Sequence, residues 1–188
     1  MVASPLRWTT KDLDAMPDDG GWTRYEIVDG DLIVTRAPHV GHQRAGGKLY
    51  VELENWSQQT HLGEPIQAPG MVFSPMDAVI PDLVWISRER LARGLDAAGH
   101  LTVAPELVVE ILSPGATNEH RDREVKRKLY SIHGVQEYWV VSWQLQTIEI
   151  YRRSQTQLQL VGTLLSEDIL TSPLLPGFQV PMSRIFES

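Results

Sequence analysis

The stretch PELVVEILSPGATNEHRDREVKRKLYSIHGVQEYWVVS, residues 105–142, decides the fold. Residues 106–112 form an apolar run that predicts a strand covered on both faces. Thr117 can cap a helix that continues to about His133, and Gly134 is typical of a helix end. Residues 137–142 are rich in β-branched and aromatic side chains, which favour a strand. The stretch therefore predicts a strand, a helix and a strand in succession.

The sequence before this stretch predicts a hairpin and a long helix. Asp29-Gly30, between the strand-like segments 25–28 and 32–35, is a strong signal for a tight β-turn. Apolar residues recur at helical spacing over residues 39–59 and predict the first long helix. Further strands are predicted at residues 66–73, 78–86, 147–153 and 158–163. This order predicts an α/β fold with a mixed β-sheet flanked by helices and an N-terminal β-hairpin.

Length and composition favour one domain. The chain has 188 residues and 42% hydrophobic residues, enough to bury a core, so we expect a single domain over residues 1–188 with residues 1–20 as a lead-in. No apolar stretch approaches the roughly 18 residues of a membrane span, and the N-terminus lacks the apolar region of a secretory signal. We therefore expect a cytoplasmic protein that does not contact a membrane.

Charge and cysteine content restrict the chemistry. The chain contains no cysteine, so any metal must be held by oxygen or imidazole ligands. A formal net charge of −7 argues against a surface that attracts nucleic acid everywhere. A nuclease with this composition would depend on local positive charge and on a metal ion.

Three residues suggest phosphate chemistry. Asp82 lies in VIPDLVWIS at residues 79–87, Glu110 lies within the apolar run of residues 106–112, and Lys126 lies in DREVKRKLY at residues 122–130. Two carboxylates on neighbouring strands can hold a hard divalent cation, and a lysine can stabilise charge on a phosphate. The three residue types together suit phosphodiester hydrolysis.

Each of these residues also has a structural interpretation. A Pro-Asp pair is common in turns and at strand starts. Glu110 can form a buried ion pair with a basic residue of the following helix. Lys126 and Lys128 lie on opposite flanks of the predicted apolar stripe of Val125, Leu129 and Ile132, so either lysine can reach the sheet edge.

Periodicity therefore leaves the lysine undecided. Asp122, Lys126 and Tyr130 share one line of the helix at four-residue spacing, and Asp122 can pair with Lys126. His39 and His42, three residues apart, form a weak metal pair without a third ligand at a suitable spacing. Their interpretation as helix-start residues is favoured.

From Tyr25 onward the chain resembles the Uma-type restriction endonuclease family of the PD-(D/E)xK nuclease superfamily. A proline followed by a helix that starts with histidine, at residues 38–42, is one matching feature. The matching segments occur in the family's order: YEIVDGDL at 25–32, IPDLVWIS at 80–87, PELVVEILSP at 105–114, DREVKRKLY at 122–130, GVQEYWVV at 134–141 and LPGFQVPMSRIF at 175–186. The set covers most of the chain and is more specific than any single motif.

The resemblance implies a restriction-endonuclease-like core and metal-dependent cleavage of DNA. In that family the lysine comes from the helix, which selects Lys126, and Leu112 stands where the usual strand lysine would be. The implied catalytic residues are Glu26, Asp82, Glu110 and Lys126.

A hypothesis for the ligands of a metal ion follows. The cofactor would be Mg²⁺ or Mn²⁺, bound by Asp82, Glu110 and the main-chain carbonyl of Ile111. Glu26 would bind a second ion or orient a ligating water.

Further expectations concern contacts with DNA and the surroundings of the site. Arg121, Arg123 and Arg127 are candidates for contacts with the DNA backbone, although an exposed helix face explains them equally well. His42, Asp122 and Tyr130 are expected beside the acidic cluster. Ser142-Trp143 stands where relatives commonly have Asp-Pro, and we expect it to alter a turn away from the site.

Analogy with restriction endonucleases predicts a homodimer, with Ile185-Phe186 among the apolar residues that would face the partner. A noncatalytic protein that keeps the nuclease fold to bind nucleic acid or to dimerise is the alternative function. An amidase, phosphatase or nucleotide hydrolase that uses the same metal is a third. A Lys126 side chain that points into solvent would argue against catalysis.

Overall fold

The secondary structure is given by a computed structural model that describes residues 6–187. The helices are α1 Thr10–Leu13, α2 Val40–Thr60, α3 Arg88–Arg93, α4 Ala116–His120, α5 Arg127–His133 and α6 Met182–Phe186, with a π-helical segment at Arg121–Lys126 between α4 and α5. The strands are β1 Thr23–Val28, β2 Asp31–Arg36, β3 Gly63–Gln67, β4 Met71–Ser74, β5 Asp77–Val79, β6 Leu83–Ser87, β7 Leu107–Ile111, β8 Glu137–Ser142, β9 Thr147–Ser154, β10 Gln157–Leu164, β11 Ile169–Thr171 and β12 Gln179–Pro181. None of these helices is long and apolar enough to cross a membrane.

The main sheet has six strands in the order β10-β9-β8-β7-β6-β3. Strands β7 and β8 are parallel, and the other neighbours are antiparallel. All residues of β7 and β8 are buried, as expected for strands covered on both faces. The helical segment of residues 116–133 joins these two strands, which confirms the predicted strand, helix and strand. The predicted α/β fold with a mixed sheet is also confirmed.

Helices cover both faces of this sheet. On one face, Leu49 and Leu53 of α2 belong to the same apolar cluster as Trp139 of β8. On the other face, Leu129 of α5 belongs to a cluster with Val108 of β7. Burial of each large apolar side chain contributes about 1.5–3 kcal/mol, so the two clusters fix the helices against β7 and β8.

The predicted N-terminal hairpin is formed by β1 and β2. Asp29 and Gly30 both have positive φ angles, 50° and 76°, and this conformation matches the twist of the flanking strands. The hairpin belongs to a second sheet of four strands in the order β2-β1-β5-β4. Glu26, in the middle of β1, is thereby carried on a different sheet from Glu110.

Two of the predicted strands are wrong in extent, because each is two strands in two different sheets. The segment 66–73 contains the end of β3 in the main sheet and the start of β4 in the small one, and Ala68 between them has a left-handed φ of 46°. The segment 78–86 is interrupted in the same way at Pro81, which has no N–H for a strand ladder. Within residues 66–86 the chain therefore passes from the main sheet to the small sheet and back, and Asp82 lies where it returns to the main sheet.

The predicted apolar stripe of the second helix is wrong at Ile132, which is 68% exposed. Asp122, Lys126 and Tyr130 are buried instead. The π-helical segment changes the register from i→i+4 to i→i+5 bonding and so changes the face that the helix presents to the sheet. Lys128 is exposed, and the ambiguity between the two lysines is resolved in favour of Lys126 as the buried one.

The C-terminal residues complete the core. Helix α6 packs on α2, and Arg184 forms an ion pair with Glu52 at 2.8 Å. Ile185 is 1% exposed and belongs to the apolar cluster under the main sheet. The prediction that Ile185 faces a partner chain is therefore wrong, because the chain's own core requires it.

The pairing of β3 with β6 can be tested at Gly63. A Cβ atom there would lie 2.3 Å from the carbonyl oxygen of Ile86 and 2.6 Å from Cζ2 of Trp85. We expect Gly63→Ala to lower the free energy of unfolding by about 1–3 kcal/mol, as for other overpacked positions, measured by urea denaturation.

Gly47→Ala is the matched control, since a Cβ at this position of α2 meets no atom within 4 Å. This change should raise stability by about 0.5–1 kcal/mol through helix propensity. Equal stability of the Gly63→Ala variant and the native chain would contradict the close approach of β3 and β6.

Candidate active site

Glu110 is the only charged residue of β7 and is 3% exposed. Burial of an ionised carboxylate is costly unless it is paired and hydrogen-bonded. Its Oε1 accepts hydrogen bonds from Nζ of Lys126 at 2.9 Å and from the hydroxyl of Tyr130 at 2.7 Å. Both partners come from the helical segment that follows β7. The connection between β7 and β8 therefore supplies the hydrogen bonds that offset the cost of burying Glu110.

Lys126 is 2% exposed and lies between two carboxylates. Its Nζ donates to Oε1 of Glu26 and to Oε1 of Glu110, both at 2.9 Å. An ammonium group has three N–H donors, so a third donor is left beyond these two bonds. The lysine does not point into solvent, the arrangement that would have argued against catalysis.

Glu26 enters the site from the small sheet. It is 1% exposed, and its Oε1 also accepts from the main-chain N–H of Ile80 at 2.8 Å. This bond ties β1 to the residue just before Pro81. Oε1 of Glu26 therefore binds both Lys126 and the main chain at Ile80, where the chain returns from the small sheet to the main sheet.

Asp82 is fixed by main-chain and imidazole contacts. Its Oδ2 accepts from the N–H of Ile111 at 2.8 Å and lies 3.1 Å from Nε2 of His42, while Oδ1 lies 3.4 Å from Nη1 of Arg24. The antiparallel pairing of β6 with β7 ends at Leu83 opposite Val109, so Asp82 and Glu110 are each the residue next to the last pair. Glu110 lies in β7 and Asp82 lies immediately before the neighbouring strand β6.

The free carboxylate oxygens suit a hard divalent cation. Oε2 of Glu26 and Oε2 of Glu110 accept no hydrogen bond from residues 6–187. Neither atom is fully enclosed, and both residues line the cleft. Among those residues no three acidic or histidine side chains converge as a complete ligand set. Magnesium commonly takes one or two protein carboxylates and completes its shell with water and substrate phosphate oxygens. Glu110 offers a free oxygen for such a shell, whereas Oδ2 of Asp82 is engaged and its Oδ1 has a 3.4 Å contact with Arg24.

The electrostatics of the site are dominated by burial. Burial raises the pKa of Glu110 to about 8; Lys126 opposes this shift, whereas the nearby carboxylates, Asp82 first, add to it. Burial would lower the pKa of Lys126, but the charges of Glu110 and Glu26 raise it above its ordinary value. Lys126 is therefore a cation at neutral pH, and Glu110, with a pKa of about 8, is mostly protonated there when no metal is bound.

The pKa of Asp82 is shifted in the opposite direction from that of Glu110. Burial alone would raise its pKa, but the hydrogen bond and charge of His42 and the N–H of Ile111 together lower the pKa below its ordinary value. Asp82 is therefore ionised at neutral pH.

Asp122 and Tyr130 lie beside the cluster, as expected from the sequence. Asp122 does not pair with Lys126, the alternative left open by helical spacing. Its carboxylate accepts from Nε and Nη2 of Arg121 at 2.7 and 2.9 Å. This bidentate pair satisfies Asp122 and holds Arg121 against the site.

The site opens into a cleft with a cavity volume of about 60 Å³, room for a few waters or a hydrated ion. Arg24, Arg36 and Arg121 line it together with Trp22 and Ser113. Of these, sequence reasoning identified Arg121 alone. Alternation along β1 places Arg24 on the same side as Glu26 and would have identified it, whereas Trp22 lies outside any periodic segment.

The other two predicted DNA-contacting arginines do not line this cleft. Arg123 pairs with Glu119 and with Glu149, the latter at 2.9 Å. Arg127 pairs with Glu124 at 2.8 Å and lies over the ring of Tyr151. Each arginine is held by one acidic residue of the helical segment and by one side chain of β9.

Trp143 packs against the start of α2, which the sequence did not predict. His39 accepts from the N–H of Gly41 at 2.9 Å, which confirms its interpretation as a helix-start residue. Trp143 stacks on His39 with ring centroids 4.7 Å apart, and a Cβ at Gly41 would lie 2.5 Å from its ring. The expectation that Ser142-Trp143 alters a turn away from the site is wrong, because Trp143 packs on the helical turn that carries His42.

The raised pKa of Glu110 predicts how the metal-free protein responds to pH. A carboxyl group with an ordinary pKa of 4.5 and a folded-state pKa of about 8 binds a proton more tightly when folded. Its contribution to stability is complete below about pH 4.5 and is lost as the pH rises to 8. We expect the free energy of unfolding, measured with EDTA, to fall over that range.

A Glu110→Gln variant is the comparison, because glutamine cannot titrate. Its stability should fall less between pH 5 and 8 than that of the native chain. The lowered pKa of Asp82 acts only at the acid end, where stability is lost as the pH falls below 3.8. Parallel pH profiles of the two proteins would contradict the buried, proton-sharing state of Glu110.

The fold and the family are shown by comparison with known proteins. The Uma2 family model, described as putative restriction endonuclease, matches residues 10–183. The crystal structure of a putative nuclease belonging to DUF820 from Anabaena variabilis has a TM-score of 0.73 and 16% sequence identity, over 95% of this chain and 97% of that chain. The type IIG restriction endonuclease BpuSI has a TM-score of 0.42 and 12% identity, over 81% of this chain and 17% of that chain.

A search of curated proteins found no match. The structural likeness to the Anabaena protein shows a shared fold. The family match spans nearly the whole chain and confirms the resemblance seen in the sequence motifs. This protein belongs to the Uma2 family of putative restriction endonucleases.

Proposed function

We propose that this protein is a metal-dependent endonuclease that hydrolyses phosphodiester bonds of DNA. The observation that carries the proposal is the buried Lys126 ammonium, held between Glu26 and Glu110 at the floor of a cleft that Asp82 also lines. A buried lysine on two carboxylates contributes little net stability compared with apolar residues of similar volume. Its placement beside free carboxylate oxygens suits phosphate chemistry.

Asp82 and Glu110 are the residues that would hold the cation, with the main-chain carbonyl of Ile111 as a further oxygen ligand. A bound Mg²⁺ or Mn²⁺ supplies Lewis-acid polarisation of the phosphate and an activated water nucleophile. The N–H of Ile111 orients Asp82, and Tyr130 orients Glu110. The ligands are therefore held by strands and a helix, which position side chains better than loops do.

Lys126 offsets negative charge that develops on the phosphate during hydrolysis. Two of its N–H donors are used by Glu26 and Glu110, and the third is available to a phosphate oxygen or to the attacking water. Donors of this kind, fixed before the reaction, need no reorganisation at the moment of bond cleavage. Glu26 acts chiefly by holding Lys126, and its free Oε2 offers a place for a ligating water.

DNA is the proposed substrate because the family is one of restriction endonucleases, and the cleft suits a polyanion locally. Arg24, Arg36 and Arg121 line a cleft whose floor is acidic, while the chain as a whole carries a net charge of −7. Binding would therefore be confined to the site. Pairing of two copies stays a prediction; the edge strand β10, with Leu160 and Val161 both more than half exposed, is a surface where it can be sought.

Replacement of Lys126 tests the proposal most directly. We expect Lys126→Met to lower the rate of Mg²⁺-dependent cleavage of supercoiled plasmid by about 100-fold or more, the size of effect seen when a fixed charge-stabilising donor is removed. Nicked and linear products separated on agarose gels give the rate.

Lys128→Met is the matched control, because Lys128 lies two residues away and is exposed. It should retain the native rate. Removal of Lys126 leaves two buried carboxylates unpaired, so the variant must be shown to be folded by circular dichroism, and Lys126→Met combined with Glu26→Gln provides a second variant with one fewer buried charge. No cleavage by the native protein with either metal would favour the noncatalytic alternative, and equal cleavage by the folded Lys126 variants would exclude the proposed site.

Replacement of Asp82 tests the cation separately from hydrolysis. Asp82→Asn preserves size and can still bond to Ile111, but it removes the charge that a hard cation prefers. We expect Mn²⁺ affinity, measured by titration calorimetry, to fall at least about tenfold.

Asp31→Asn is the control, since Asp31 lies in β2 and its side chain is 77% exposed. Its Mn²⁺ affinity should equal that of the native protein. A stoichiometric Mn²⁺ site that is unaffected by Asp82→Asn would place the cation elsewhere.

A further inference from the structure

Trp22 stands out at the mouth of the cleft. It is 70% exposed, although tryptophan is usually largely buried, and it lines the same cleft as Glu110 and Lys126. Isolated exposed apolar side chains are common on proteins and alone imply nothing. The position of this indole beside the acidic site is what suggests that it contacts the substrate.

The backbone of Trp22 is fixed although its side chain is free. Its carbonyl oxygen accepts from the N–H of Ala37 at 2.8 Å, at the open end of the β1–β2 hairpin. The next residue, Thr23, is bonded through its N–H and its hydroxyl to Asp19 at 3.0 and 2.6 Å. The ring is thus held beside the cleft by the hairpin and by the turn before it.

Positive charge accompanies the ring. Arg36 pairs with Thr23 across the hairpin, is exposed, and lines the cleft. Arg24 and Arg121 line it too, but each is partly occupied, by Asp82 and Asp122 respectively. An exposed aromatic ring with arginines along one groove is the combination that proteins use to bind single-stranded nucleic acid, through base stacking and backbone contacts.

We infer that the substrate of this site is DNA with an unpaired segment, one base of which stacks on Trp22 while the adjoining phosphate enters the cleft. This inference rests on the proposed nuclease function and specifies its substrate class. A base inside a duplex has both faces covered by its neighbours, and its exposure costs a few kcal/mol. A base of a single strand, a bulge or a frayed end can stack without that cost.

The depth and charge of the site support the same substrate. Glu26, Glu110 and Lys126 are each at most 3% exposed, so a phosphate must leave the path of a regular backbone to reach them. An unpaired strand bends more readily than a duplex. The net charge of −7 also disfavours an extended contact with duplex phosphates.

The test compares a 12-nucleotide single strand with a blunt duplex of the same sequence. Binding is measured by tryptophan fluorescence and by anisotropy of a labelled strand, with Ca²⁺ in place of Mg²⁺ and with the DNA shown to be intact afterwards. Cleavage of both substrates is then measured with Mg²⁺. The proteins are the native chain, Trp22→Ala, Trp22→Phe and, as a control, Ile132→Ala, which removes an exposed apolar side chain that does not line the cleft.

We expect the native protein to bind and cleave the single strand at least about tenfold better than the duplex. Trp22→Ala should weaken single-strand binding by about tenfold or more, the usual effect of losing one stacked base, and Trp22→Phe should restore most of it. Part of the tryptophan fluorescence quenching that accompanies binding of the single strand should be absent in both Trp22 variants. Ile132→Ala should bind and cleave the single strand as the native chain does.

The outcomes separate this inference from the proposed function. Cleavage of the duplex at a rate equal to or above that of the single strand, with no effect of Trp22→Ala, would overturn the inference and leave the nuclease function intact. Trp22-dependent binding of the single strand without cleavage of either substrate would support stacking on Trp22 and contradict the nuclease function. Equal binding of single strand and duplex by all four proteins would also overturn the inference.

Discussion

The ion pairs of Lys126 with Glu26 and Glu110 are the contacts on which the rest of the structure depends. They join a strand of the small sheet, a strand of the main sheet and the helical segment between β7 and β8 at one buried point. Each buried charge costs several kcal/mol in desolvation, and the mutual attraction of the group about offsets this cost. The cluster therefore determines how the two sheets meet more than it stabilises the fold.

Much of the fold was predictable from local chemistry, and the errors arose where two sheets exchange strands. The hairpin followed from Asp29-Gly30, and β7 followed from an apolar run too continuous for a half-exposed strand. Residues 66–73 and 78–86 look like single strands because β-propensity is similar in both sheets, and side-chain alternation does not reveal a change of sheet. Pro69, Gly70 and Pro81 were the available signals of these breaks.

The candidate site was predictable only in part. Glu110 stood out as a charge in a buried strand, but Lys126 could not be distinguished from Lys128 by 3.6-residue periodicity, because the helix departs from that periodicity at Arg121–Lys126. The family motif supplied the choice, and burial agrees with it. Trp22 and Arg36 carried no sequence signal, since their importance comes from the position of the hairpin end beside a cleft made by distant segments.

Supply of the lysine from a helix instead of the strand changes what holds the site together. A lysine at the position of Leu112 would be fixed by the main sheet alone, whereas Lys126 reaches Glu110 only when the helical segment is docked and Glu26 is in place. Three elements of the site are thus positioned by one another. Asp82 is the exception, because it lies outside the strands at a chain crossing, and it is held by the N–H of Ile111 and by His42. His42 therefore fixes the position of Asp82, as pairing of β7 with its neighbours fixes the position of Glu110. The packing of Trp143 on the first turn of α2 in turn fixes the helix that carries His42.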